Sequence, residues 1–126
     1  MEKKQTILLV EDEEPLRKPL RKVLEFNGYA VIEADSGSAA LEIWTTQKPE
    51  VDLLLTDIRM PGSLNGYDLA EMLWRDQPNL KVVFSTGQKN ELLAKGFPLR
   101  EDFNFLQKPY DPQQLLTVIR NNLGKV

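Results

Sequence analysis

The stretch Val51-Asp52-Leu53-Leu54-Leu55-Thr56-Asp57-Ile58-Arg59-Met60-Pro61 decides the reading of this chain. Its apolar run, Val51–Thr56, is short, rich in residues that pack on a sheet, and bounded by polar ones. A run of that kind reads as a strand buried on both faces, and this one stops at a carboxylate. Four more runs share its character: Thr6–Val10, Ala30–Ala34, Val82–Ser85 and Phe103–Leu106.

Helical periodicity fills the gaps. The first helix opens near Pro15, carries Leu16, Leu20, Val23 and Leu24 on one stripe, and stops at Asn27-Gly28. Pro19 lies one turn inside it, where a proline deletes an intrahelical hydrogen bond. The second covers about Ser38 to Thr46 with Ser36 as its cap, and the third Tyr67 to Asp76. The last has the sharpest start: Asp111 as cap, Pro112 in the first position and Gln114 completing a capping box. The fourth slot is short, because Asn90–Lys95 is followed at once by Gly96-Phe97-Pro98.

Strand and helix therefore alternate five times, which predicts an α/β domain with a parallel sheet covered on both faces. Right-handed crossovers make a doubly wound, flavodoxin-like strand order the economical topology. The expected fold is a single domain over residues 1–126 with a shortened fourth helix.

Composition narrows the chemistry. The chain has no cysteine and no histidine, so thiol catalysis, thiolate or imidazole metal ligands and an internal phosphohistidine are all excluded. A net charge of −3 without like-charged runs gives no footprint for nucleic acid or anionic lipid. No segment has the length of a membrane span, and the chain reads as cytoplasmic.

In a doubly wound sheet, ligands bind at the carboxyl ends of the strands. Glu11 and Asp12 follow the first run, Asp57 the third, Thr86 the fourth, and Lys108 lies just past the fifth. Each has an ordinary structural reading: a helix-capping loop, a strand-end turn, a surface lysine. Their joint occurrence at one edge is what those readings explain poorly. Three clustered carboxylates repel one another unless a cation sits among them. An all-oxygen donor set selects a hard divalent ion, and few carboxylates plus water suit Mg²⁺. An ammonium and a hydroxyl beside that metal are what phosphoryl transfer needs, with Asp57 as the nucleophile.

The acidic pair, Asp57-Ile58-Arg59-Met60-Pro61 with Gly66, Thr86-Gly87 and Lys108-Pro109 together resemble the receiver domain of two-component response regulators, over essentially the whole chain. The resemblance implies Asp57 as phosphoacceptor. It implies Asp12 as direct Mg²⁺ ligand, Glu11 acting through water, and the Arg59 backbone carbonyl as a further ligand. Thr86 is then the switch hydroxyl, Lys108 the phosphoryl-binding ammonium, and Phe105 the aromatic that turns inward with it. Phe105 also reads as plain packing, alternating with Phe103. Arg59 and Gln88 match positions that tune phosphate lifetime. The implied donor is a histidine kinase or a histidine phosphotransfer protein in trans, and the output passes to a further protein.

Two departures stand out. The loop Pro61-Gly62-Ser63-Leu64-Asn65-Gly66 is one residue longer than the common form and, with the short fourth helix, looks like receivers of hybrid sensor kinases. A truncated helix also puts the usual dimerising face in question. Three other readings are weaker. A haloacid-dehalogenase-type phosphatase wants a second aspartate where Arg59 stands, and a flavodoxin-like carrier wants a phosphate cradle where Glu11-Asp12-Glu13-Glu14 would repel one. A partner-binding pseudo-receiver is the serious rival, although the intact Asp12, Asp57, Thr86 and Lys108 set speaks against it.

Overall fold

The computed structural model describes residues 3–47, 49–87, 90–100 and 103–124, apart from the side chains of Glu91 and Leu92. Five strands and five helical segments alternate in chain order: β1 (Thr6–Val10), α1 (Glu14–Phe26), β2 (Ala30–Ala34), α2 (Gly37–Gln47), β3 (Leu53–Asp57), α3 (Gly66–Asp76), β4 (Lys81–Thr86), α4 (Asn90–Ala94), β5 (Phe105–Gln107) and α5 (Pro112–Leu123). The strands form one parallel sheet in the order β2-β1-β3-β4-β5, the doubly wound order expected from the alternation.

Side-chain alternation along the central strands divides the core in two. Ile7, Leu9, Leu53, Leu55, Val83 and Leu106 point to the layer that holds Leu24 of α1 and Leu115, Val118 and Ile119 of α5. Leu8, Val10, Leu54, Val82, Phe84 and Phe105 point the other way, to Ala40 and Trp44 of α2 and Leu69 and Leu73 of α3. A fully buried leucine contributes about 1.5–3 kcal/mol, so the unbroken Leu53-Leu54-Leu55 run anchors both layers at once.

Local signals behave as their chemistry requires. Asp111 accepts from the Gln114 amide at 2.8 Å, and the Gln114 side chain accepts from the Asp111 amide at 2.8 Å, closing the expected capping box. Ser36 Oγ accepts from the Ala39 amide at 3.0 Å, so α2 starts at its predicted cap. Asn65 caps α3 by accepting from the Asp68 amide at 2.8 Å. Pro19 is housed inside α1 on an exposed face.

Strand ends differ from the sequence reading in three strands, and β3 starts at Leu53, not Val51. β3 extends to Asp57, because Asp57 is registered against Ser85 of β4. β4 runs from Lys81 to Thr86, longer than the apolar core Val82–Ser85. β5 shrinks to Phe105–Gln107: the amides of Phe103 and Asn104 both turn back to the Arg100 carbonyl, at 3.0 and 3.1 Å, and the Phe103 ring lies under the Arg100 guanidinium. The aromatic character of Phe103 serves a turn there, not a ladder.

The short α4 is as expected. After it, Gly96 adopts φ +72°, and Phe97 turns back to pack edge-on against Tyr67 and Phe84 and stack on Trp74. Loop residues thus cover the sheet where a longer helix would otherwise lie.

Candidate functional site

The carboxyl ends of β1, β3 and β4 and the turn after β5 bring the predicted residues to one edge. Glu11, Asp12 and Asp57 each place a carboxylate oxygen within 4.8 Å of the others. Lys108 Nζ reaches into the cluster and donates to Asp57 Oδ2 at 2.9 Å and to Glu11 Oε1 at 3.1 Å. Three acidic groups against one ammonium leave a formal charge of −2 in a half-enclosed space. That is the deficit a hard divalent cation would neutralise, and the donor set is all oxygen.

Asp57 is tightly held. Its Oδ1 accepts from the Ile58 amide at 2.7 Å while Lys108 occupies Oδ2, so the carboxylate plane is fixed at both oxygens. Its carbonyl accepts from Thr56 Oγ1 at 2.8 Å. Gly66 closes the loop after β3 by donating its amide to the Ile58 carbonyl at 2.9 Å. A Cβ on Gly66 would stand 1.9 Å from the Asp57 carbonyl oxygen, so only glycine lets the backbones approach this closely. In the same loop, Leu64 packs onto Gly37 at the start of α2.

Glu11 is 3 % exposed, and burial pushes its carboxyl above the ordinary glutamate value despite the Glu13 amide and Lys108, which pull it down. Burial also works against the Lys108 charge, but its bonds to Asp57 and Glu11 outweigh that, and its net shift is upward. The Lys108 backbone hangs from β4, its amide donating to the Thr86 carbonyl at 2.9 Å.

Thr86 closes β4, one residue beyond the Ser85 that pairs with Asp57, and it is buried. Arg59 is exposed in the loop two residues past β3. Phe105 is 3 % exposed and lies in the core layer of α2 and α3, registered against Phe84. Gln88 lies outside the described residues.

Three contributors escaped the sequence reading. Arg17 of α1 donates to the Glu11 carbonyl at 2.7 Å and pairs with Glu33 of β2 at 3.2 Å, bracing the acidic loop from behind. Ser85 donates to the Tyr110 hydroxyl at 3.4 Å beneath the cluster. Burial raises the Tyr110 pKa, so this hydroxyl stays protonated at neutral pH. No sequence signal marks Arg17 among the basic residues of α1; Tyr110 was findable as an aromatic directly after Lys108-Pro109.

A concavity lies beside this edge. It is a groove of about 580 Å³ between α1 and the start of α5, walled by Leu16, Pro19, Leu20, Tyr110 and Leu115, with Glu11 and Lys108 at one end.

Comparison with known proteins converges on one family. The family model for the response regulator receiver domain matches residues 7–120. The sensor kinase CckA of Brucella abortus is 38% identical over 120 residues, which is 95% of this chain but 13% of that kinase. The response regulator receiver protein CpdR of the same organism is 37% identical over 117 residues, 93% of this chain and 95% of that protein. The crystal structure of a response regulator receiver protein from Sinorhizobium medicae superposes with a TM-score of 0.85 at 30% identity, covering 96% of this chain and 95% of that one.

Proposed function

The chain belongs to the response regulator receiver domain family of two-component signalling, and from that premise we propose that Asp57 accepts a phosphoryl group from a phosphohistidine on a histidine kinase or phosphotransfer protein. One observation carries the reading: the Asp57 carboxylate is fixed at the sheet edge, 2.9 Å from an ammonium and within 4.8 Å of two further carboxylates.

In the transfer, a carboxylate oxygen of Asp57 forms the new P–O bond while the donor's P–N bond breaks, and the imidazole leaves with the electron pair and takes up a proton. Glu11, Asp12, Asp57 and the Arg59 carbonyl would hold Mg²⁺, which supplies positive charge to the phosphoryl oxygens. Lys108 exchanges its bond to Asp57 for one to a phosphoryl oxygen, and Thr86 donates to another. By the family resemblance, Arg59 and Gln88 tune the lifetime of the acyl phosphate. Hydrolysis of the acyl phosphate returns Asp57 and inorganic phosphate.

The product carries about −1.5 to −2 additional charge. Thr86 and Lys108 are both attached to the β4–β5 edge, so drawing them toward that charge reshapes the adjoining surface. The domain is a switch read by another protein and turns over no separate substrate, and it acts in the cytoplasm, where such donors are met.

Intact mass after incubation with acetyl phosphate and Mg²⁺ tests this, with Asp57→Asn alongside. A single phosphoryl adduct that needs Mg²⁺ and is lost in the variant is expected. No adduct, together with no response to beryllofluoride, would mean a pseudo-receiver that binds partners unphosphorylated.

A further inference from the structure

Ser85 and Tyr110 form a polar contact beside the apolar side chains Leu9, Leu20 and Leu55. Ser85 is 4 % exposed and registered beside Asp57 in the sheet. Tyr110 belongs to the turn after β5, two residues from Lys108, and its ring walls the α1–α5 groove. Its hydroxyl reaches inward to Ser85. There a cavity of about 10 Å³ separates it from Asp57 and Glu11, room for no more than one water.

This placement is costly unless it does something. A valine and a phenylalanine would fill the same layer without burying two hydroxyls, and a buried hydroxyl needs its partner to offset desolvation. What the pair does geometrically is tie the turn after β5 to β4 directly below the acceptor. Lys108 is carried by that turn, fixed on one side by its amide bond to the Thr86 carbonyl and on the other by Tyr110.

We propose that Tyr110, through its hydrogen bond to Ser85, is a positioning residue for Lys108, holding the turn so that the ammonium meets the phosphoryl group at Asp57. The inference deepens the phosphoacceptor reading and rests on it. Among the described residues, the Tyr110 hydroxyl is bonded to Ser85 and not to Asp57 or Glu11. Its loss therefore slows transfer without weakening the carboxylate cluster. Both residues contribute through one bond, so either removal has the same effect as removing both.

The test uses the full chain with Tyr110→Phe, Ser85→Ala and the double variant. Initial rates of phosphorylation by acetyl phosphate are followed by intact mass over a range of acetyl phosphate and Mg²⁺ concentrations. Amide hydrogen exchange at Lys108 is measured without phosphodonor. Each single variant is expected to lower the maximal rate about 5-fold, to leave half-saturation by Mg²⁺ unchanged, and to speed Lys108 exchange. The double variant is expected to be no slower than either single. Unchanged maximal rates, losses that multiply in the double variant, or a rise in the Mg²⁺ requirement that accounts for the slowing would each overturn the proposal. Should the wild type gain no phosphoryl group, the phosphoacceptor reading fails by itself. Lys108 exchange then decides the pair: unchanged protection in Tyr110→Phe overturns it, and faster exchange upholds it.

Discussion

Replacing Gly66 by alanine asks whether the acceptor loop is as tightly closed as its geometry implies. The added Cβ would stand 1.9 Å from the Asp57 carbonyl oxygen and 2.9 Å from its carbon. Carbon meets carbonyl oxygen at about 3.3 Å at closest in ordinary contacts, so the backbones must separate by about 1.4 Å. Neither partner is a side chain that can rotate away. The separation also breaks the bond from the Gly66 amide to the Ile58 carbonyl at 2.9 Å. Overpacking of this kind with loss of a buried bond costs about 3–4 kcal/mol, or about 10–20 °C in Tm for a domain of this size. Two other glycines calibrate the result. At Gly37 the corresponding contact is 2.6 Å to the Leu64 carbonyl, a shortfall of about 0.7 Å; at Gly87 nothing lies within 4 Å. Thermal melts by circular dichroism should therefore rank the alanine variants Gly66 worst, Gly37 intermediate and Gly87 near wild type. Folded Gly66→Ala protein should also take up phosphoryl groups poorly, since the displaced carbonyl belongs to the acceptor. A Gly66→Ala melt within about 3 °C of wild type, or Gly87→Ala as the most damaging change, would mean that the acceptor loop is not closed on Gly66.

Three further outcomes follow from the same structure. Glu11 has a raised pKa, so protons compete with Mg²⁺ from a pH above the ordinary glutamate value downward, and calorimetric Mg²⁺ affinity should fall as pH drops through that window. Without metal the sign reverses for stability: the folded chain holds the Glu11 proton more tightly, so this contribution is present below the unfolded pKa and lost as pH rises through the folded one. Glu11→Gln should flatten both dependences. Pro19→Ala should restore a helical hydrogen bond in α1 and raise stability by about 1–3 kcal/mol in urea unfolding; a loss would mean that the ring's packing along the groove outweighs the bond. Asp111→Ala should cost about 1 kcal/mol by opening the capping box, with Gln114→Ala costing less than that on top of it.

The fold was legible because its signals are local and repeated. Continuous apolar runs such as Leu53-Leu54-Leu55 can be buried on both faces only in a covered parallel sheet, and Asp111-Pro112 with Gln114 marks a helix start unambiguously. Strand ends were less so: whether Asp57 joins the ladder depends on Ser85 opposite it, and whether Phe103 is strand or turn depends on Arg100, neither visible in a linear pattern. At the site, the carboxylates, Thr86 and Lys108 could be found because topology sends every strand end to one edge. Arg17 and Ser85 could not, since each acts through a contact made only after α1 and the turn after β5 have packed. The burial of Phe105 was likewise a property of the finished core.

The alternation that divides the core also divides the chain optically. Both tryptophans, Trp44 and Trp74, report from the layer of α2 and α3, with indole nitrogens bonded to Asp76 and to the Leu80 carbonyl. The layer of α1 and α5, which backs the groove, contains Tyr29 and Tyr110 and no tryptophan. Red-edge excitation therefore sees one half of the molecule and is blind to the half beside Lys108. With no cysteine anywhere in the sequence, a single thiol introduced on α1 would be a unique attachment point. A dye placed there would watch the silent half while tryptophan emission watches the other, so the two sides of one sheet could be followed separately in one sample.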